Sequence, residues 1–382
     1  MKALFYAAGT SPASAFAIGP LASALRASGH EIMVASFEEM SGAVTGIGLP
    51  SIPVARGHST ESIKAAAHGR PAIEYPHRPE QELPYLGHWF GRQGSYVCDD
   101  LVDICRLWGA DVLIAGSQGH GAEIASRAAG IPFVRQSWDL FDIHGYEDYL
   151  HEELADQLAG IGADTLPDPS LRIDICPPGL TETTGTFMRW TPHNKQRQID
   201  PWMLQTPDSG RVCLTMGSFR YAFPGAMDRI SAIVERLLEL GVEVVVAIGE
   251  AEGKQLQEKY PRVRAGWIPL EAILPTCEVI IHPAGGLTAV NAINTATPQL
   301  ILNPFEAFTP TLKRLTDFGC ARTLYREEGS PEAIAQVVKE MLGDSSYSFK
   351  ARELAERAAT APTAVGMVPL IEDLVAREKV NR

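Results

Sequence analysis

Residues 266–304 read GWIPLEAILPTCEVIIHPAGGLTAVNAINTATPQLILNP, and this stretch sets the pattern for the rest of the chain. Trp267 stands between Gly266 and Ile268-Pro269. A short helical segment follows, then the apolar run Cys277–Ile281, which reads as a buried strand. That strand runs into His282-Pro283-Ala284-Gly285-Gly286, and a helix is predicted to begin at Leu287-Thr288. A strand feeding a small-residue turn and then a helix leaves the helix's first backbone N–H groups without intrahelical partners. Those groups sit at the positive end of the helix dipole and form an anion site, most naturally for phosphate. Trp267 offers a flat surface for a planar ring nearby. Together they outline a nucleotide-diphosphate site.

Outward from this stretch the same alternation continues. Arg211–Met216 is a strand ending in Gly217-Ser218, and the next helix carries Ile230, Ile233, Val234, Leu237 and Leu238 on one face. Val242–Ile248, Val263–Trp267, Val279–His282 and Gln299–Asn303 are further strands, and helices run from about Pro331 to the end. In the first half, Lys2–Ala8, Glu31–Phe37, residues 51–55, Asp111–Ala115, Pro132–Ser137 and finally Leu171–Cys176 read as strands. The helices between them include one with Ile18, Leu21, Ala22 and Leu25 on a single face, and a long one over Tyr85–Trp108. Residues 57–84 read as loops, and residues 180–210, without sustained periodicity, read as a linker. Strands alternating with helices imply doubly wound parallel sheets, which bind ligands at the carboxyl ends of their strands.

A chain of 382 residues is too long for one ordinary core. The expected division is an acceptor-side domain over 1–200, a nucleotide-binding domain over 201–360, and a helix over 361–382 packing back on the first. Net charge is −13, with no basic block, which argues against nucleic acid or anionic membrane as the main partner. No apolar run reaches the roughly 18 residues of a membrane span, and the N-terminus carries no signal-peptide pattern. The six cysteines are scattered, with no C-x-x-C pair, as expected of buried thiols in a reducing cytoplasm rather than disulfides or zinc ligands. No metal site is expected. Whether the chain pairs with a second copy is left open.

Features at four predicted strand ends of the second half converge: Gly217-Ser218, Trp267, the run His282 to Thr288, and the run Asn303 to Phe308. Each has an ordinary structural use, as a tight turn, core packing or a hydrogen-bonded histidine. Their joint order is specific. Trp267-Ile268-Pro269, then His282-Pro283-Ala284-Gly285-Gly286-Leu287-Thr288, then Pro298-Gln299 resembles the signature of GT-B glycosyltransferases of the antibiotic branch. The resemblance runs nearly end to end. The runs SPASAFAIGPLASALRASGH, RQSWD and IDICPP, with residues 198–202, are similar to enzymes of aromatic-polyketide pathways of the urdamycin and landomycin type.

The resemblance implies a dTDP-deoxysugar donor, used as co-substrate without a metal or other cofactor, and an aromatic polyketide acceptor. It implies that Trp267 stacks on the nucleobase and that the Ile268 backbone reads its edge. His282, Gly285, the N–H groups of Gly286, Leu287 and Thr288, and the Thr288 hydroxyl would hold the diphosphate, with Gly217 and Ser218 touching it from the neighbouring strand. Donors fixed at a helix N-terminus stabilise the charge of a departing diphosphate.

Two positions depart from the family pattern. The Gly-His pair that supplies a base in many relatives aligns with Phe16-Ala17, and the pair that reads sugar hydroxyls is replaced by Phe305-Glu306-Ala307-Phe308. Apolar surface there suits a deoxysugar. Asp139, just past a predicted strand, is the first candidate for a substitute base, with a helix N-cap as its alternative use. His120 and Asp142 are rivals, and Ser11 is placed to assist. The aromatics Trp89, Phe90, Trp138, Phe141 and Tyr146 are candidates for an acceptor wall or, equally, for core. A non-catalytic homologue that binds nucleotide, and a sugar-nucleotide epimerase, are the competing readings.

Overall fold

The computed structural model describes the chain except residues 10, 67–68, 138–142, 182–184, 196, 218–224, 326–327 and 381–382. Its first sheet holds β1 (Lys2–Tyr6), β2 (Glu31–Phe37), β3 (Ser51–Val54), β4 (Val112–Ala115), β5 (Phe133–Gln136), β6 (Leu171–Asp174) and β7 (Thr186–Phe187). All pairings are parallel, in the order β3-β2-β1-β4-β5-β6-β7. The second sheet holds β8 (Arg211–Thr215), β9 (Glu243–Ala247), β10 (Arg264–Gly266), β11 (Val279–His282), β12 (Gln299–Asn303) and β13 (Ala321–Tyr325). It is parallel too, in the order β10-β9-β8-β11-β12-β13. Two doubly wound α/β sheets are what the alternation of strands and helices predicts. The central strands are apolar along their whole length because helices cover both faces: Val112–Ala115 is buried at every position.

Two strands escaped the sequence reading. The last strand of the first sheet is not Leu171–Cys176 but β7, two residues inside the stretch read as linker. Two residues are too few to display a period. The edge strand β13 reads ARTLY and is half-buried at four of its five positions, so its mixed polarity hides it among the flanking helices.

The helix Glu82–Trp108 crosses the helix His120–Ala129 at Gly94 and Gly121. A Cβ on Gly121 would lie 2.5 Å from the Gly94 carbonyl oxygen, so only glycine permits this backbone-to-backbone approach. The last helix, Ala364–Val380, lays Met367, Val368, Ile371, Leu374 and Val375 into one core with Ile18, Leu21 and Leu25 of the helix Ala13–Ala27. Each such side chain contributes about 1.5–3 kcal/mol on burial. His30 and Glu372 pair at 2.8 Å, and Lys379 reaches Asp111 at 2.6 Å. Among the described residues no helix is long and apolar enough to cross a membrane.

Candidate active site

In each sheet the strand order reverses once, between β1 and β4 and between β8 and β11. The crevice beyond the carboxyl ends of strands at such a switch point is where doubly wound sheets take ligands. Gly217, left-handed at φ 52°, turns the chain out of β8, with its N–H on Thr215 Oγ1 at 3.2 Å. His282 ends β11 across the switch point. Ser218 lies outside the described residues.

The helix predicted to start at Leu287-Thr288 spans Gly286–Asn294. Gly285 precedes it in extended conformation and no side chain caps it. The first helical backbone bond in this turn runs from the Ala289 N–H to the Gly285 carbonyl at 2.9 Å. The N–H groups of Gly286, Leu287 and Thr288 are therefore free of helical partners, and all three residues are half-buried rather than sealed in core. Gly285 leaves room for the Thr288 hydroxyl, which a Cβ there would meet at 3.2 Å.

Ala284 takes the turn at φ 54° while only 5% exposed. Left-handed backbone costs a residue with a Cβ about 1–2 kcal/mol. Ala284→Gly relieves that, but loses chain stiffness worth about 0.4–1 kcal/mol and a buried methyl worth about 0.8 kcal/mol, so it is expected to be near neutral. Ala284→Val is expected to lose about 1–3 kcal/mol, because a branched side chain cannot sit in this conformation unstrained. Urea unfolding midpoints of the two variants check the contrast.

Trp267 stands one residue past β10, three strand positions from β11. At about 4.8 Å per strand this is roughly 14 Å, of the order of an extended nucleoside diphosphate. Its ring is half-buried and its indole Nε1 is buried without a partner. Ile268 anchors the turn in a small core with Ile273, Leu274 and Ile280. Arg197, which the sequence reading missed, ties the connecting segment to the platform: its guanidinium donates to the Trp267 carbonyl and pairs with Glu250 at 3.1 Å. Asn194 bonds Glu271 at 2.7 Å beside it. Neither contact leaves a mark in a single sequence, because the partners lie some seventy residues or more apart.

His282 is fully buried, and burial pulls its pKa down to about 4, so it is neutral at physiological pH. Its Nε2 lies 2.9 Å from Gln299 Oε1, and its Nδ1 is buried with no partner.

On the facing sheet, Ser11 follows β1, and its carbonyl accepts the Ser14 N–H at 3.1 Å. His120 opens its helix after β4, is 3% exposed, and sits 3.3 Å from the Tyr146 hydroxyl. Burial, then the Arg135 charge, pulls its pKa to about 3. So weak a base is poorly suited to take a proton near neutrality, which weighs against the role considered for it. Ala17, one of the pair that the resemblance sets in the base's place, has its carbonyl bonded by Gln136 Nε2 at 2.8 Å. Trp138, Asp139, Phe141 and Asp142 lie outside the described residues.

Phe305 is 3% exposed and packs against Tyr75 and Tyr85 of the first half, with ring centroids 5.7 and 6.3 Å away. The Ala307 N–H donates to buried Glu82 at 2.9 Å. This run therefore joins the two halves instead of lining open space throughout. Phe90 belongs to the core, 4% exposed, whereas Trp89 lies under Lys64 Nζ at 4.1 Å.

Two doubly wound sheets joined in this way, with an uncapped helix at one switch point, form the GT-B fold. The chain belongs to the Erythromycin biosynthesis protein CIII-like family, whose N-terminal domain matches residues 23–217 and whose C-terminal domain matches residues 231–374. It is a glycosyltransferase of the antibiotic type. It is 30% identical to the L-demethylnoviosyl transferase of Streptomyces niveus over 91% of this chain and 92% of that one. It is 28% identical to the 10-deoxymethynolide desosaminyltransferase of Streptomyces venezuelae, over 95% of each. The crystal structure of the Streptomyces sp. SF2575 glycosyltransferase SsfS6 complexed with thymidine diphosphate superposes with a TM-score of 0.84 at 29% identity, covering 98% of this chain and 99% of that one.

Proposed function

We propose that the enzyme moves a deoxysugar from a dTDP-sugar to an aromatic polyketide acceptor, with inversion at the anomeric carbon and without a metal. The observation that carries the donor half is the uncapped N-terminus at Gly286–Thr288 beside His282 at the β8/β11 switch point. Three N–H groups and the positive helix end stabilise the diphosphate as its charge grows, which is where catalysis gains most. Trp267 supplies the base platform, and Ile268, Gly217 and Ser218 complete the donor side. Thymine as the base is supported by the SsfS6 complex with thymidine diphosphate, and the sugar class by the desosaminyl and demethylnoviosyl transferases.

Residues 1–200 take the acceptor in this reading, and residues 201–360 take the donor. Asp139 removes the acceptor proton with help from Ser11. The aromatic acceptor rests on the polyketide-type runs of the first half and on Trp89 and Tyr146. Incubation with dTDP-sugars and a panel of polycyclic aromatics, read by mass spectrometry, tests the whole. A glycosylated aromatic is the expected product. Binding of dTDP with no product from any of these acceptors counts against the aromatic acceptor class, and a product of retained anomeric configuration counts against inversion.

A further inference from the structure

The His282 ring is held in one protonation pattern by a neighbour to which no role has been given. Gln299 lies on β12, adjacent and parallel to β11, and is 1% exposed. Its amide has two contacts: Oε1 on His282 Nε2 at 2.9 Å, and Nε2 on the Ala289 carbonyl at 3.4 Å. The second contact sets the first. Turning the amide over would put its oxygen against the Ala289 carbonyl oxygen, two acceptors facing each other. The oxygen therefore faces the histidine, and a neutral imidazole that meets an acceptor at Nε2 must carry its proton there. Nδ1 is left as a lone pair, buried and without a partner.

A lone pair cannot bond a diphosphate oxygen, which also only accepts. Burial and the Gln299 contact are what act on this ring, with no charged side chain among the described residues contributing. Nothing in the described resting site therefore charges it, and a polyanion at the helix N-terminus would supply the missing opposite charge. We propose that Gln299 is a positioning residue that keeps the neutral His282 ring protonated on Nε2, so that the ring engages the donor diphosphate only by taking a second proton from solvent onto Nδ1. The diphosphate then departs against an imidazolium whose other N–H stays bonded to Gln299. This rests on the reading of Gly286–Thr288 and His282 as the diphosphate site. It adds one proton to donor binding and one positive charge to the leaving-group side.

Nitrogen-15 NMR of histidine-labelled protein distinguishes the three ring forms directly. The chain has ten histidines, and the His282 signals are those missing from a His282→Gln variant. In the free wild type the ring is expected to be protonated on Nε2 alone, and with saturating dTDP to become an imidazolium. In Gln299→Leu the free ring is expected to shift to the Nδ1–H form and to stay neutral when dTDP binds. Gln299→Glu, which keeps an acceptor in place but adds a charge, is expected to give the imidazolium with or without dTDP. A neutral ring in the wild-type complex, or an Nδ1–H ring in the free wild type, overturns the proposal. Failure of dTDP to bind the wild type strikes the donor-site reading instead, and the free-protein ring form still tests the Gln299 lock. A Gln299→Leu variant that does not fold leaves the free and dTDP-bound wild-type spectra to decide.

Discussion

Glu153→Leu is expected to cost about 3–5 kcal/mol of stability, the scale for removing one partner of a buried ion pair. Glu153 is 5% exposed and takes both arms of the Arg92 fork, at 3.1 and 2.7 Å, with Arg70 on the same carboxylate at 2.9 Å. Arg92 is 2% exposed, so its charge has nowhere to go once the carboxylate is lost. Hydrogen bonds from Arg92 Nη1 to the Ala65 and Pro71 carbonyls, at 3.3 and 2.9 Å, remain but are neutral acceptors. The same guanidinium thus fastens the irregular 57–84 stretch and the helix Glu147–Glu153 to the helix Glu82–Trp108. Loosening it should disturb acceptor use as well as folding. Urea denaturation gives the stability loss, and the double variant Arg92→Met with Glu153→Leu should lose clearly less than Glu153→Leu alone, since no charge is then stranded at Arg92. Equal losses would show that packing, not the charge, is what matters there.

Asp139→Asn is expected to lower turnover by about 10²-fold or more, the usual contribution of a general base, while dTDP binds as before. The side chain keeps its size and loses its basicity, and the proposed donor contacts belong to the other half of the chain. The prediction rests on sequence position just past β5, on the weakness of buried His120, and on the resemblance, which sets Phe16-Ala17 where a base-supplying pair is expected. A phenol or electron-rich arene needs only modest help, so a carboxylate suffices. Turnover near wild type would remove Asp139 from the mechanism.

The sheets were legible in the sequence because their interior strands are buried on both faces and read as unbroken apolar runs, such as Val279–Ile281. The helix after them was legible because small residues there serve the turn before they serve any core. What escaped was of two kinds. β7 and β13 are short or mixed in polarity, so their period is lost. The contacts of Arg197 with Trp267, Glu82 with Ala307, and Gln299 with His282 join residues distant in sequence, and a polar residue gives no local sign of a partner. Phe305 shows the converse error: read as an apolar wall for a sugar, it is largely engaged in holding the halves together. Apolarity in a sequence says that a side chain will be covered, not by what.

The helix Ala364–Val380 has a consequence for how the molecule is made. It covers the helix Ala13–Ala27 and salts Asp111 down with Lys379, beside the Lys2 N–H that bonds the same carboxylate at 2.7 Å. Synthesis proceeds from the N-terminus, and domains generally fold in that order as they emerge. Here a helix made early, Ala13–Ala27, is covered by one made after both sheets, Ala364–Val380. Until that helix arrives, Ile18, Leu21 and Leu25 remain short of part of their cover, so the packing of the first half is completed only after the second half has been made.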